Sequence, residues 1–200
     1  MKRIGKVSQI SSMTNYHCSV FREGEIDPVP SNQDYKFGTM VKIEAKGGSI
    51  VGIITDITTL TPGDRIPLKV ADVGQAQRLY PAFYSVMQTL VNVSFLGFIH
   101  TDSNGKTIKI THGFPGIIPD ISNNVWTMDD QDIIMFHKPN GRLAFGYYSR
   151  FSKENNFEFA FCTLCDHIMQ LLPNEASLVK KLKQNVEFLS KVKAFSKGGV

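Results

Sequence analysis

Three cysteines, Cys18, Cys162 and Cys165, are too few to pair completely within one chain, so the fold does not rest on a disulfide framework. Long apolar runs are also lacking. The longest apolar stretch, Leu90 to Ile99, is broken by Asn92 and Ser94 and falls short of a membrane-spanning helix. Met1-Lys2-Arg3-Ile4-Gly5 leads straight into a strand-like pattern without the apolar segment of a signal peptide, so a cytoplasmic protein with no membrane partner is expected. An excess of one charge sign is small, at a formal +4 with 20% charged residues, too little by itself to announce a nucleic-acid binder. What excess there is lies in one place: from Leu178 onward Lys180, Lys181, Lys183, Lys191, Lys193 and Lys197 stand against Glu187 alone. Internal repeats of 20 to 50 residues and low-complexity segments are missing too. What is present is a globular composition, 42% hydrophobic, sufficient for a sizeable core.

The first third of the chain alternates and turns like β structure. Ile4 to Ile10 and Tyr16 to Arg22 read as strands, and Gly24 to Tyr35 carries the turn chemistry of Pro28, Pro30, Ser31, Asn32 and Asp34. Met40 to Ala45, a Gly47-Gly48 turn and Ser49 to Leu60 read as a hairpin. After Asp72 the apolar positions change to three- and four-residue steps through Leu90, which predicts an amphipathic helix interrupted at Pro81. Strands are expected again at Val91 to His100 and Lys106 to Thr111, around an Asp102-Ser-Asn-Gly105 turn. Gly113 to Pro119 must be irregular. Thr127 and Asp130 have capping-box spacing for a short helix running to Phe136. Arg142 to Phe151 reads as one more strand, and the chain turns helical from Phe157, with Leu171-Leu-Pro-Asn174 dividing two helices. On the last helix Val179, Leu182, Val186 and Leu189 form an apolar stripe suited to the barrel or to a partner.

Few patterns carry chemistry. Asn104-Gly-Lys-Thr107 ends like a phosphate-binding loop, but His100 stands where the first glycine is required and Lys106 to Thr111 alternates like a strand where a helix should follow, so a hairpin turn is expected. Cys162-Thr-Leu-Cys165 has the spacing of half a zinc site, without a second pair, and reads as small apolar residues on a buried helix face. Asp129, Asp130 and Asp132 are explained by helix capping and dipole complementation. The histidines His17, His100, His112, His137 and His167 are scattered. Tyr147-Tyr148 beside Arg142 and Arg150 offers stacking and charge to a single strand, against the simpler reading of an amphipathic strand. Neither a catalytic residue nor a cofactor or metal ligand is identified.

Ile4-Gly-Lys-Val7, Phe37-Gly-Thr-Met-Val-Lys-Ile-Glu44 and Ser49-Ile-Val-Gly-Ile-Ile-Thr-Asp-Ile57 resemble the HAS-barrel, the N-terminal barrel of HerA-type hexameric DNA translocases and of ATP synthase catalytic subunits. Val93-Ser-Phe-Leu-Gly-Phe-Ile99, Gly113-Phe-Pro-Gly116 and Asn124-Val-Trp-Thr-Met-Asp-Asp130 extend the likeness over residues 1–137. The resemblance implies a small antiparallel β-barrel; with the helical insertion read near 73–90 and the strand and helical extension read over 138–200, the expected fold is α+β. In the HerA-type proteins a RecA-like ATPase domain with a Walker A motif follows the barrel. That motif has no counterpart here, so no catalytic residue carries over and no enzyme activity is expected. The family barrel crowns a ring and helps dock a nuclease. The implied role is therefore assembly or partner docking in DNA processing, with a second copy, a HerA-type ATPase or a nuclease as partner. The alternative is nucleic-acid binding by the barrel and the terminal helix, through Lys180, Lys181, Lys183, Lys191 and Lys193.

Overall fold

The structure, a computed structural model, describes residues 1–60, 87–113, 116–151 and 156–197. Its strands are β1 (Arg3–Ile10), β2 (Asn15–Val20), β3 (Met40–Ala45), β4 (Gly48–Leu60), β5 (Gln88–Thr101), β6 (Thr107–His112) and β7 (Asn124–Thr127). The helices are α1 (Asp130–His137), α2 (Tyr148–Phe151), α3 (Phe157–Leu171) and α4 (Ala176–Lys197). The expected insertion helix falls outside the described residues as far as position 86, and by Gln88 the chain is already strand β5.

Six antiparallel strands close a barrel in the order β2-β1-β7-β3-β4-β5, with β5 returning to β2. Closure depends on β5 being long. Its first half, Leu90 to Ser94, pairs with β2, whereas its second half, Gly97 to Thr101, pairs with the extra strand β6. Strand β4 runs beside β5 from Gly48 to Leu60, with register shifts at Val51/Gly52 and Ile54/Asp56. Such bulges bend a strand and raise its twist, as barrel closure requires. Tyr16, Cys18 and Val20 alternate inward on β2, as a wall with one buried face should. On β4, by contrast, every residue from Ile50 to Thr55 is buried. One face of that strand lines the barrel and the other is covered by helix.

Two glycines are required by close approach. Gly48 sits at φ 154° in the β3–β4 turn, where a Cβ would lie 2.0 Å from the Ile99 carbonyl oxygen. At Gly97 a Cβ would meet the Thr111 carbonyl oxygen at 2.4 Å and the Phe136 ring at 2.9 Å, so this bare position lets β6 and α1 reach the barrel wall.

The helices form a cap continuous with the barrel core. On α3 the buried residues Phe157, Ala160, Phe161, Leu164, Cys165 and Ile168 follow helical spacing. Pro139 and Pro173 each open a 3-10 turn directly after α1 and α3, where a ring without an N–H ends the helix. The α3–α4 hairpin is clamped at one end by Lys183 Nζ donating to Asp166 Oδ1 at 2.6 Å and Oδ2 at 2.7 Å. At the other end Ser190 donates to Glu158 Oε2 at 2.9 Å.

Two local expectations are corrected. Arg142 to Phe151 is not a strand but a turn leading into α2. Its amides are engaged elsewhere: Ala144 N donates to the His137 carbonyl at 2.8 Å and Gly146 N to His112 Nδ1 at 3.2 Å, so the segment wraps the end of α1. The cap of α1 is Asp129, accepting from Asp132 N at 2.9 Å, and not a Thr127–Asp130 box; Thr127 belongs to β7, where its hydroxyl accepts from Lys2 N at 2.8 Å.

Candidate functional site

Between β6 and the cap, the polar side chains of His112, His137 and Tyr147 lie together within one aromatic cluster. His137 ends α1 and is fully buried. Its Nδ1 lies 2.8 Å from the Ile133 carbonyl and its Nε2 2.8 Å from the Tyr147 hydroxyl. A carbonyl can only accept, so Nδ1 carries the proton and Nε2 accepts from the tyrosine. His112 is held likewise, donating from Nε2 to the Phe136 carbonyl at 2.9 Å while Nδ1 accepts from Gly146 N. Burial pushes the His137 pKa down to about 3 and lowers that of His112. Burial also pushes Tyr147 well above the usual phenol range. Both rings are therefore neutral at physiological pH and have both nitrogens occupied. They brace the Phe136–Phe145–Tyr147–Phe161 aromatic cluster rather than present a free base.

The other residues singled out by sequence take these places. Asn104 to Thr107 is the β5–β6 hairpin, with Asp102 Oδ1 accepting from the amides of Asn104 at 2.9 Å and Lys106 at 2.8 Å. A strand follows it. Cys165 is buried in the α3 face, and desolvation raises its thiol pKa to about 12; Cys162 is half-buried and is also raised, by burial first. Both thiols are protonated at neutral pH and are poor nucleophiles. Asp132 pairs with Lys42 of β3 at 2.6 Å and Asp130 with His167 at 3.2 Å, so the acidic run ties α1 to its neighbours. Among the described residues no three or more ligand side chains gather into a metal site. Tyr147 is fully buried and unavailable for stacking.

Of the lysines on α4, Lys180 and Lys181 are exposed, whereas Lys183 is held by Asp166 and, at 3.8 Å, by Glu187. Lys191 and Lys193 lie on the α4 backbone, and their side chains fall outside the described ones. The α4 apolar stripe divides: Val179 and Val186 are buried and Leu182 packs partly against the core, but Leu189 is 48% exposed. Leu178 and Phe188, outside the anticipated stripe, are also exposed.

Two surface features were not anticipated from sequence. A cleft of about 560 Å³ separates the Gln33–Met40 loop from α3, lined in part by Asp34, Asp166, His167 and Gln170. Its two carboxylates are matched by neighbours, Asp34 by Lys2 at 2.7 Å and Asp166 by Lys183 at 2.6 Å, and Lys2 holds the Asp34 carboxyl below the usual carboxylate range. On the outer barrel wall Arg3 lies over the rings of Phe21 (5.2 Å) and Trp126 (5.9 Å), and Trp126 Nε1 donates to Glu44 Oε1 at 2.8 Å.

A family model described as a domain of unknown function (DUF8166) matches residues 1–187, both barrel and cap. No curated protein matches the chain.

Proposed function

We propose, from the premise that this chain belongs to the DUF8166 family, that it is a non-catalytic assembly and docking module related to the barrel of HerA-type DNA translocases. One observation carries the reading. The segments that resemble the HAS-barrel, Ile4–Val7, Phe37–Glu44, Ser49–Ile57, Val93–Ile99 and Asn124–Asp130, supply β1, β3, β4, β5 and β7, five of the six staves of a closed antiparallel barrel. Among the described residues, only the resembling segment at 113–116 contributes no strand to the barrel wall.

The partner class follows from the resemblance: a HerA-type ATPase or nuclease, or further copies of the chain, in DNA processing. Co-expression with the HerA-type ATPase and the nuclease of the same genome, followed by purification on a tag carried by this chain, is expected to retain one of them at a fixed ratio. Retention of nucleic acid alone, lost as salt rises, contradicts docking and favours the second reading, in which exposed Lys180 and Lys181 contact phosphates.

A further inference from the structure

Strand β6 ends the sheet. It pairs with β5 and, among the described residues, with no other strand. No residue of Thr107–His112 is fully buried, and Thr-Ile-Lys-Ile-Thr is a strongly β-forming run without proline. An open edge of this kind presents unpaired N–H and C=O groups that can accept one more strand.

The two faces of the edge differ. Ile108, 66% exposed, and Ile110 share one face, and with Met135 and Pro139 they line a groove of about 380 Å³ between β6 and the end of α1. Lys138 of the same groove is neutralised by Glu175. Lys109 also borders this groove, while strand alternation directs its side chain to the opposite face with that of Thr111, whose hydroxyl lies 3.1 Å from His100 Nε2. Among the described residues no carboxylate comes within ion-pair distance of Lys109 or of Lys106 in the adjoining turn. Among the described residues the edge thus combines a groove in which Ile108, Ile110 and Met135 lie beside the polar Thr107 and Asn140 with an unmatched positive charge.

We propose that the β6 edge binds an extended acidic segment of a partner protein, which adds to the sheet as a further strand. Its apolar side chains enter the Ile108–Ile110–Met135 groove, and a carboxylate at an alternate position meets Lys109. A second copy of β6 is a poor occupant, because antiparallel pairing centred on Lys109 sets Lys109 against itself, and like charges directly opposite are destabilising. This rests on the docking reading and deepens it by naming the surface and the chemistry of the segment it takes.

The probe is a soluble peptide of about ten residues in which valine alternates with glutamate, so that one face is apolar and the other acidic. Titrated into the full chain and followed by amide-resolved NMR and hydrogen exchange, it is expected to shift signals of β6 and Met135 and to slow exchange within Thr107–His112. Lys109→Glu, an exposed change, is expected to weaken this peptide roughly fivefold, through loss of one cross-strand attraction and gain of a repulsion. The same variant should gain affinity for the valine–lysine counterpart. Shifts centred elsewhere, equal binding of both peptides by both proteins, or β6 protection that depends only on the concentration of the chain itself would overturn the proposal. Peptide binding is read on this chain alone, so it stands apart from capture of an ATPase or nuclease. If the Lys109→Glu chain retains such a partner as well as the unaltered chain does, docking holds and the β6 edge is not its surface.

Discussion

Phe161→Ala is expected to destabilise the whole chain by about 3–5 kcal/mol and to lower the melting temperature by roughly 10 °C for a chain of this size. Phe161 is fully buried at the centre of the cap, with the rings of Tyr148 at 4.8 Å, Phe145 at 5.7 Å, Phe157 at 6.1 Å and Tyr147 at 6.2 Å. These neighbours belong to α2, α3 and the segment before them, and several elements cannot all collapse into the space that one ring leaves. The sole tryptophan, Trp126, lies on β7 in the barrel wall, so its fluorescence reports the barrel while helical circular dichroism reports the cap. Barrel and cap share one buried core, so both signals should move together and at the same lowered temperature. Helical signal lost well before the Trp126 signal would show that the cap is a separate unit.

Acid is expected to destabilise the protein in a window set by His137. Its folded pKa is depressed to about 3, against an unperturbed value near 6.5. Between those values the unfolded chain binds a proton that the folded chain refuses. The contribution of neutral His137 is therefore fully present above about pH 6.5 and is lost as pH falls through the window, at about 1.4 kcal/mol per pH unit. From pH 7 to pH 5 the loss is roughly 2 kcal/mol from this ring, and His112, lowered for the same reason, acts in the same direction. Urea midpoints at the two pH values measure it. A double change, His137→Phe with Tyr147→Phe, removes both polar partners together. It should cost little at pH 7 and flatten the acid slope by about one proton. His137→Phe alone leaves the Tyr147 hydroxyl buried without its acceptor and should cost about 1–3 kcal/mol at any pH. An acid slope unchanged in the double variant would contradict the burial and bonding of His137.

Strands were legible in sequence where alternation, β-branched runs and turn residues act locally: β1, β2, the β3–β4 hairpin and β5–β6 fall close to their expected places. The same alternation misled at Leu143, Phe145 and Tyr147. There the aromatic side chains pack onto α1 and α3, and the amides bond to His112 and His137 rather than to a ladder. Strand β7 gave little signal, with four residues of which Val125 alone is buried, yet it closes the barrel between β1 and β3. Its place is set by partners far away in sequence on both sides, such as Arg3 of β1 and Lys42 of β3, both opposite Trp126. The candidate sites were less legible for the same reason. Lys183 read as a free phosphate contact until its counter-ion, Asp166 on the preceding helix, came within 2.6 Å. The β6 edge could not be foreseen because its place belongs to the sheet as a whole; Ile108 and Lys109 read as an ordinary alternating strand, and only the topology shows β6 with no strand beyond it among the described residues.

Size-exclusion chromatography with in-line light scattering tests docking most directly, applied to the purified chain alone and mixed with the HerA-type ATPase or nuclease of the same genome. The expected result is a complex of defined mass containing this chain together with one of those partners, or a defined homo-oligomer that they join. A chain that stays a strict monomer at every concentration and shifts neither partner would contradict a docking role.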